Sequence, residues 1–381
     1  MVFRFPLLAR VWRVVLMQNM KNAELCLEAP AASRALSSCL LCLPLVAALG
    51  GCAPFYQGPV TEHFDGRRFS NQPGVPSRPS FFEALKWNFS RRSRPPWPEF
   101  VDAPPGPPPP LRVADLRATF VGHATVLVQQ DGLNFLTDPV WSSRVGPFSW
   151  AGAKRYRPPG LRFEDLPPID LVLLSHDHYD HLDLPTLRQL VAAFPGLTLV
   201  AGLGMGSFLK TKGIHAKVVE LDWWQSTTIG SVEIVATPAA HWSGRNPFVP
   251  NRILWVGFVL KGPAGLTYYA GDTGWGPHFA QIRERFGPVR LALLPIGAYK
   301  PEWFMRAQHI GPQEAVAAAR LLEASTSIGV HFGTFNLADD GPQEGPRALA
   351  RLQAVDSSVA FEVLMEGRGW NIPPQKPVKE D

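Results

Sequence analysis

The densest chemistry in the chain lies at its centre, where Leu171–Asp183 reads LVLLSHDHYDHLD. An apolar run (Leu171, Val172, Leu173, Leu174) ends in Ser175 and then delivers His176, His178, Asp180 and His181. Imidazole and carboxylate are ligands that suit zinc. On an extended segment, residues two apart share a face, so His176 and His178 can point together at one ion. Asp180 and His181 lie past the bend and can turn toward a second ion nearby. The bland alternative is a polar, solvated loop after a strand. Three histidines, with Asp177 and Asp183 added, at the end of a buried-type strand exceed what solubility requires.

Three more candidates stand at the ends of later β-type runs: His241 in TPAAHWSGR, Asp272 in YYAGDTGWG and His331 in IGVHFGTF. Each alone could be a polar residue capping a strand. The repeated strand-then-ligand order favours one shared site at a sheet edge.

The elements that must position these residues begin near Leu111. Ala118–Gln129 and Leu133–Leu136 read as a strand pair joined around Asp131-Gly132, a hairpin signal. Further strands are expected at Leu197–Ala201, Lys217–Leu221, Val232–Ala236, Ile253–Leu260, Thr267–Ala270, Leu291–Pro295 and Ser327–Val330. Helices are expected at Pro185–Phe194, Pro277–Phe286, Pro312–Ala324 and Pro342–Val355, each opening on a proline at or near the first turn. Runs of strands with helices interspersed later suggest an α+β domain of two packed sheets with helices outside.

HDHYDH, then a lone histidine, then GDT, then a last histidine resemble the metallo-β-lactamase superfamily. Within it the chain is similar to the N-acyl-phosphatidylethanolamine-hydrolysing phospholipase D group. The similarity rests on the stretches GHATVLVQQDGLNFLTDPVWSSRVGPFSWAGAKRYRPPG, DLPPIDLVLLSHDHYDHLD, GDTGWGPHFAQIRERFGP, PIGAYKPEWFMRAQHIGPQEA and HFGTFNLA. The resemblance implies a four-layer αββα sandwich with two Zn2+ ions at one edge, other divalent metals remaining open. It puts His176, His178 and His241 on one ion and Asp180, His181 and His331 on the other, with Asp272 shared. Asp180, Asp272, Gln308 and His309 are then the residues closest to catalysis, the last two beside a substrate phosphate. Helix-end packing ahead of Pro312 is the plainer reading of His309. Asp138, in TDP, is either a support for a metal ligand or a simple turn residue before Pro139. His123, in VGHAT, is open between such support and the core. Trp223, Trp224, Trp242, Phe248, Trp303, Phe304 and Met305 could line a groove for acyl chains or belong to the core.

The reaction so implied is hydrolysis of a phospholipid phosphodiester, for which two ions roughly 3.5–4 Å apart supply a water ionised near pH 7. The alternatives are a hydrolase of the same fold acting on a lactone, a β-lactam or another phosphodiester, and a non-catalytic lipid- or metal-binding envelope lipoprotein.

Charge excludes one class of partner. Of the net charge of +5, residues 1–51 hold five basic residues (Arg4, Arg10, Arg13, Lys21, Arg34) against Glu24 and Glu28, which is +3. The remaining +2 is spread without a cluster that could track a phosphate backbone, so nucleic acid is not expected. All four cysteines (Cys26, Cys39, Cys42, Cys52) fall in the first 52 residues. The run Cys39–Gly51 has the length of a signal-peptide core and is short for a bilayer span. It ends in Leu49-Gly50-Gly51-Cys52, which resembles the lipobox of bacterial lipoproteins. That implies a signal peptide over residues 1–51, with Met17 or Met20 as other possible starts, and a lipidated Cys52. The chain would then sit on the membrane surface of a bacterial envelope; Ala53, in place of Asp, leans to the outer membrane, on its periplasmic side. A plain N-terminal anchor, or an apolar segment packed on the domain, is the alternative. Residues 52–110 form a proline-rich extension, read either as a semi-rigid tether or as a segment wrapped on the domain. Residues 111–381 form the hydrolase domain. Arg91-Arg92-Ser93-Arg94 could touch anionic head groups or be a solvated turn.

Overall fold

The structure is a computed structural model that describes residues 55–76, 78–90, 95–245 and 249–375. The apolar run, Cys52, Arg91–Arg94 and Phe248 lie outside the described residues.

Two seven-stranded mixed sheets face each other. The first contains β1 (Leu116–Gly122), β2 (Thr125–Gln130), β3 (Leu133–Thr137), β6 (Leu171–Leu174), β7 (Thr198–Gly202), β8 (Lys217–Leu221) and β16 (Gly369–Asn371), in the order β16-β1-β2-β3-β6-β7-β8. The second contains β9 (Ser226–Ile229), β10 (Val232–Thr237), β11 (Gly257–Gly262), β12 (Gly265–Tyr269), β13 (Leu291–Pro295), β14 (Thr326–Val330) and β15 (Phe361–Glu362), in the order β15-β14-β13-β12-β11-β10-β9. A separate ribbon pairs β4 (Arg144–Phe148) with β5 (Ala151–Lys154).

The alternation along β6 shows how the layers form. Leu171 and Leu173 join the core between the sheets, beside Phe258, Leu260 and Tyr268. Val172 and Leu174 face the other way, onto Leu187 and Leu190 of α2 (Leu184–Ala193) and Leu209 of α3 (Met205–Thr211). All four are fully buried, each leucine contributing roughly 1.5–3 kcal/mol. On the second sheet, α4 (His278–Phe286), α6 (Pro312–Leu321) and α7 (Glu344–Val355) bury Phe279, Ala315, Ala318 and Leu349 in the same core. The architecture is the expected αββα sandwich.

Two expectations need correction. Ala118–Gln129 is not one strand: the chain reverses between β1 and β2, with Gly122 at φ 137° and His123 at φ 56°. Both strands are buried on both faces, so the run lacks the exposed polar stretch that would have marked the turn, and Gly122-His123 alone signals it. Ile253–Leu260 joins its ladder only from Gly257. Before that, Leu254 N–H bonds to Leu203 and Val256 N–H donates to the Ser175 carbonyl at 2.9 Å, tying this segment to the first sheet's metal-motif loop.

The described parts of the proline-rich extension lie on the domain. Phe64 and Phe69 are 2% exposed and belong to the inter-sheet core. Asn71 Oδ1 accepts from Trp255 Nε1 (2.9 Å) and from the His241 amide (3.2 Å). Further on, α1 (Phe81–Ser90) stacks Trp87 on Phe304 of α5 (Glu302–Met305), with ring centroids 4.7 Å apart. Gly106 N–H then bonds to the Gly160 carbonyl at 2.7 Å.

Candidate metal centre

Strands β6, β10, β12 and β14 carry the four segments that meet. After Leu174, Ser175 N–H donates to Asp138 Oδ1 at 2.7 Å, which fixes where the strand ends. The amides of His181 and Leu182 turn back to the His178 carbonyl, so Asp180 and His181 return toward the strand end. Arg245 holds this loop from outside: Nε donates to the Asp177 carbonyl at 2.6 Å, Nη2 to that of Leu182, and the guanidinium lies over the Tyr179 ring. Gly271 precedes Asp272 at φ 61°, and a Cβ there would meet Ser175 Cβ at 2.8 Å. Only glycine lets the GDT turn approach the loop this closely.

Two groups of ligand atoms result. His176 Nε2 lies 2.8 Å from His178 Nδ1, which is 3.3 Å from His241 Nε2. His331 Nε2 lies 3.1 Å from His181 Nε2 and 3.4 Å from Asp180 Oδ2. Asp272 Oδ2 stands between the groups, 3.0 Å from His181 Nε2, 3.1 Å from His331 Nε2, 3.8 Å from His241 Nε2 and 3.9 Å from His176 Nε2. The structure thus brings together all seven residues expected from the sequence.

The donor chemistry fits divalent cations. Three of the imidazoles have their far nitrogen engaged, which aims the near one inward: His241 Nδ1 at the Gln308 carbonyl (2.9 Å), His181 Nδ1 at Asp138 Oδ2 (2.7 Å) and His176 Nδ1 at Ser175 Oγ (2.9 Å). Such partners fix tautomer and ring orientation in metal sites. Burial drives His178 and His241 down to about 3 and His176 well below its ordinary value, so these three present neutral lone pairs. Burial also opposes charge on His181 and His331, yet Asp272 and Asp180 overcome it and hold His331 at about 9. A divalent cation competes with those protons for the same nitrogens.

Asp138 is completely buried and supports the site, accepting from Ser175 N–H, Ser175 Oγ (2.5 Å), Tyr269 OH (2.5 Å) and His181 Nδ1. His123 Nε2 lies 2.9 Å from Asp180 Oδ2, and its ring packs 4.1 Å from that of His331. His309 Nδ1 lies 3.9 Å from Asp272 Oδ2, so its ring faces the cluster. The Gln308 side chain is turned aside: Oε1 accepts from Trp242 Nε1 at 2.6 Å, and only its carbonyl reaches the centre, through His241. Among the aromatics, Trp242 flanks His178 edge-on at 4.2 Å, Trp303 is half-exposed, and Phe304 and Met305 pack with α1. Trp223 belongs to the core and Trp224 packs against it. Sequence reading missed Ser175, Tyr269, Arg245 and Asn71. Ser175 was legible as a hydroxyl beside the first histidine; the others act across long sequence separations.

Comparison with known proteins gives the chain a family. A β-lactamase superfamily domain matches residues 133–332. Over 229 residues the chain is 43% identical to the N-acyl-phosphatidylethanolamine-hydrolyzing phospholipase D 1 of Caenorhabditis elegans, covering 58% of this chain and 64% of the worm protein. The chain thus spans less than two thirds of that relative's length. It is 30% identical over 247 residues to a metal-dependent hydrolase of Methanopyrus kandleri, 62% of this chain and 93% of the archaeal one. Among solved structures, the isothiocyanate hydrolase from Delia radicum gut bacteria superposes with a TM-score of 0.56 at 17% identity, over 68% of this chain and 100% of that one, a likeness of fold alone. Similar to the N-acyl-phosphatidylethanolamine-hydrolysing phospholipase D group within it, the chain belongs to the metallo-β-lactamase superfamily, among its metal-dependent hydrolases.

Proposed function

We propose that this chain is a dizinc phosphodiesterase of the phospholipase D type, acting on a glycerophospholipid such as an N-acyl-phosphatidylethanolamine. The observation that carries the reading is the position of Asp272 Oδ2, within 3.9 Å of nitrogens from both histidine groups. One carboxylate serving two ligand groups suits a pair of ions that act together. His176, His178 and His241 would hold one zinc and Asp180, His181 and His331 the other, with Asp272 available to both. Bound there, the ions supply a water ionised near neutral pH and positive charge for phosphoryl oxygens.

The protein's own part is orientation. Asp138 and the Gln308 carbonyl aim ligands from both groups, so little reorganisation is needed when charge builds on the phosphoryl group. His309, which burial keeps neutral by lowering it to about 3, can donate a hydrogen bond to a phosphoryl oxygen without adding charge. The relatives' phospholipase D names support the substrate class. The Leu-Gly-Gly-Cys sequence supports a lipid anchor at Cys52 on an envelope membrane, which would bring the domain to its substrate.

The test is hydrolysis of N-acyl-phosphatidylethanolamine by the zinc-loaded chain in oxygen-18 water, beside a lactone and a β-lactam. Label in the phosphate of phosphatidic acid, lost in Asp272→Asn, is the expected result. Opening of the lactone or lactam with the phospholipid intact would overturn the substrate class. No turnover of any of them by a chain holding two zincs would favour a binding protein.

A further inference from the structure

Among the described residues, His331 Nδ1, His123 Nδ1 and Asp340 Oδ1 are buried polar atoms beside the metal centre with no protein partner. All three residues line one cavity of about 10 Å³, whose wall also includes Trp97, Ala298, Phe332, Phe335 and Ala338. That is close to the smallest space that holds a water molecule. His331 turns Nε2 to Asp272, 3.1 Å away, which leaves Nδ1 as the ring nitrogen free for this cavity.

The proton inventory of these atoms is determined by their other contacts. His331 turns Nε2 to the ligand cluster, so as a metal ligand it carries its proton on Nδ1, which must donate. His123 donates from Nε2 to Asp180 Oδ2 at 2.9 Å, which leaves Nδ1 as an acceptor. Asp340 accepts the Ala298 amide on Oδ2 at 3.0 Å, and its free Oδ1 is a second acceptor. One donor and two acceptors are the complement of a single water, which takes one hydrogen bond and gives two. Both histidines are held at left-handed backbone angles, φ 56° for His123 and φ 61° for His331, and the His331 amide bonds to the His123 carbonyl at 2.8 Å. The fold therefore over-determines the place of both rings.

We propose that one ordered water fills this cavity and that Asp340, acting through it, is a positioning residue for His331. The water accepts His331 Nδ1–H and donates to Asp340 Oδ1 and His123 Nδ1. It thereby links a ligand of the Asp180–His181–His331 ion to the histidine that orients Asp180. His331 then gains the outer partner that Asp138 gives His181 and the Gln308 carbonyl gives His241. The inference rests on the metal-centre reading above.

The test is a chelator-competition titration of the full metal-depleted chain with zinc, together with melting of the metal-free form. Asp340→Asn keeps an oxygen for the Ala298 amide but turns an amide toward the water. Ala338→Val leaves Asp340 in place and adds bulk at the cavity wall. The expected result is a ten- to hundredfold loss of affinity for one of two zincs in both variants, with the other zinc and the metal-free melting temperature little changed. Wild-type affinity in Asp340→Asn overturns the proposal, as does lost metal-free stability with both affinities intact, which would mean that Asp340 serves only Ala298. A loss in Asp340→Asn without one in Ala338→Val removes the water from the relay. A wild-type chain that takes up no divalent ion sinks the metal-centre reading itself.

Discussion

Asp138 Oδ2 lies 2.7 Å from His181 Nδ1, and the same carboxylate takes two hydrogen bonds from Ser175, whose hydroxyl in turn meets His176 Nδ1 at 2.9 Å. One buried acid thus orients a ligand from each histidine group. In Asp138→Asn an amide N–H faces at least one of four donors, leaving a buried group unsatisfied. The expected cost is about 1–3 kcal/mol of stability by urea unfolding, with a ten- to hundredfold loss in metal affinity by chelator competition. Unchanged affinity would reduce Asp138 to a turn residue.

Asp272→Asn removes the charge that both groups share. Burial opposes ionisation of Asp272, but His181 and His331 keep it well below the ordinary carboxylate range, so its negative charge is intact at neutral pH. The expected outcome is a fall in turnover of at least about 10²-fold, with circular dichroism and core packing preserved. Near-normal turnover by a fully metallated variant would remove the shared role.

How far these roles could be read from the sequence depends on how local their cause is. The spacing His176-x-His178-x-Asp180-His181 implies its own geometry, because an extended segment followed by a turn needs nothing from elsewhere. His241, Asp272 and His331 were legible only as strand ends, and it is the order β14-β13-β12-β11-β10 within one sheet that brings those ends level with β6. The supports were largely hidden. Asn71 meets His241 across 170 positions and Tyr269 meets Asp138 across 131, and neither carries a local pattern. The break at His123 was hard to read because β1 and β2 are buried almost throughout, polar residues included, so no change from buried to exposed pattern marks it.

Metal removal is expected to destabilise the whole domain, since four strand ends converge on the ligands. A ligand at a hundred times its dissociation constant adds about 2.7 kcal/mol to stability. Calorimetry before and after dialysis against a chelator should show a melting temperature lower by several degrees, restored by zinc. Identical melting curves would mean that the cluster binds no ion.

Acid stability should depend on a histidine outside the metal centre. His278 opens α4 and is 1% exposed; its Nε2 lies 3.2 Å from Thr273 Oγ1, which gives its own proton to the Gly274 carbonyl. The hydroxyl therefore accepts, and His278 donates as a neutral ring. Burial pushes this imidazole down to about 3, against an ordinary value of 6.5. Between those values the unfolded chain takes up a proton that the folded chain refuses, so stability is lost as pH falls below about 6.5. At 1.36 kcal/mol per unit, the loss from this residue reaches about 2 kcal/mol by pH 5. His278→Gln, which carries no such proton, should be less stable than the parent at pH 7.5, because its longer amide fits the site less well. That gap should narrow by about 2 kcal/mol at pH 5 in urea unfolding of the zinc-loaded proteins. A gap of constant size across this range would mean that His278 is protonated in the folded chain as readily as in the unfolded one.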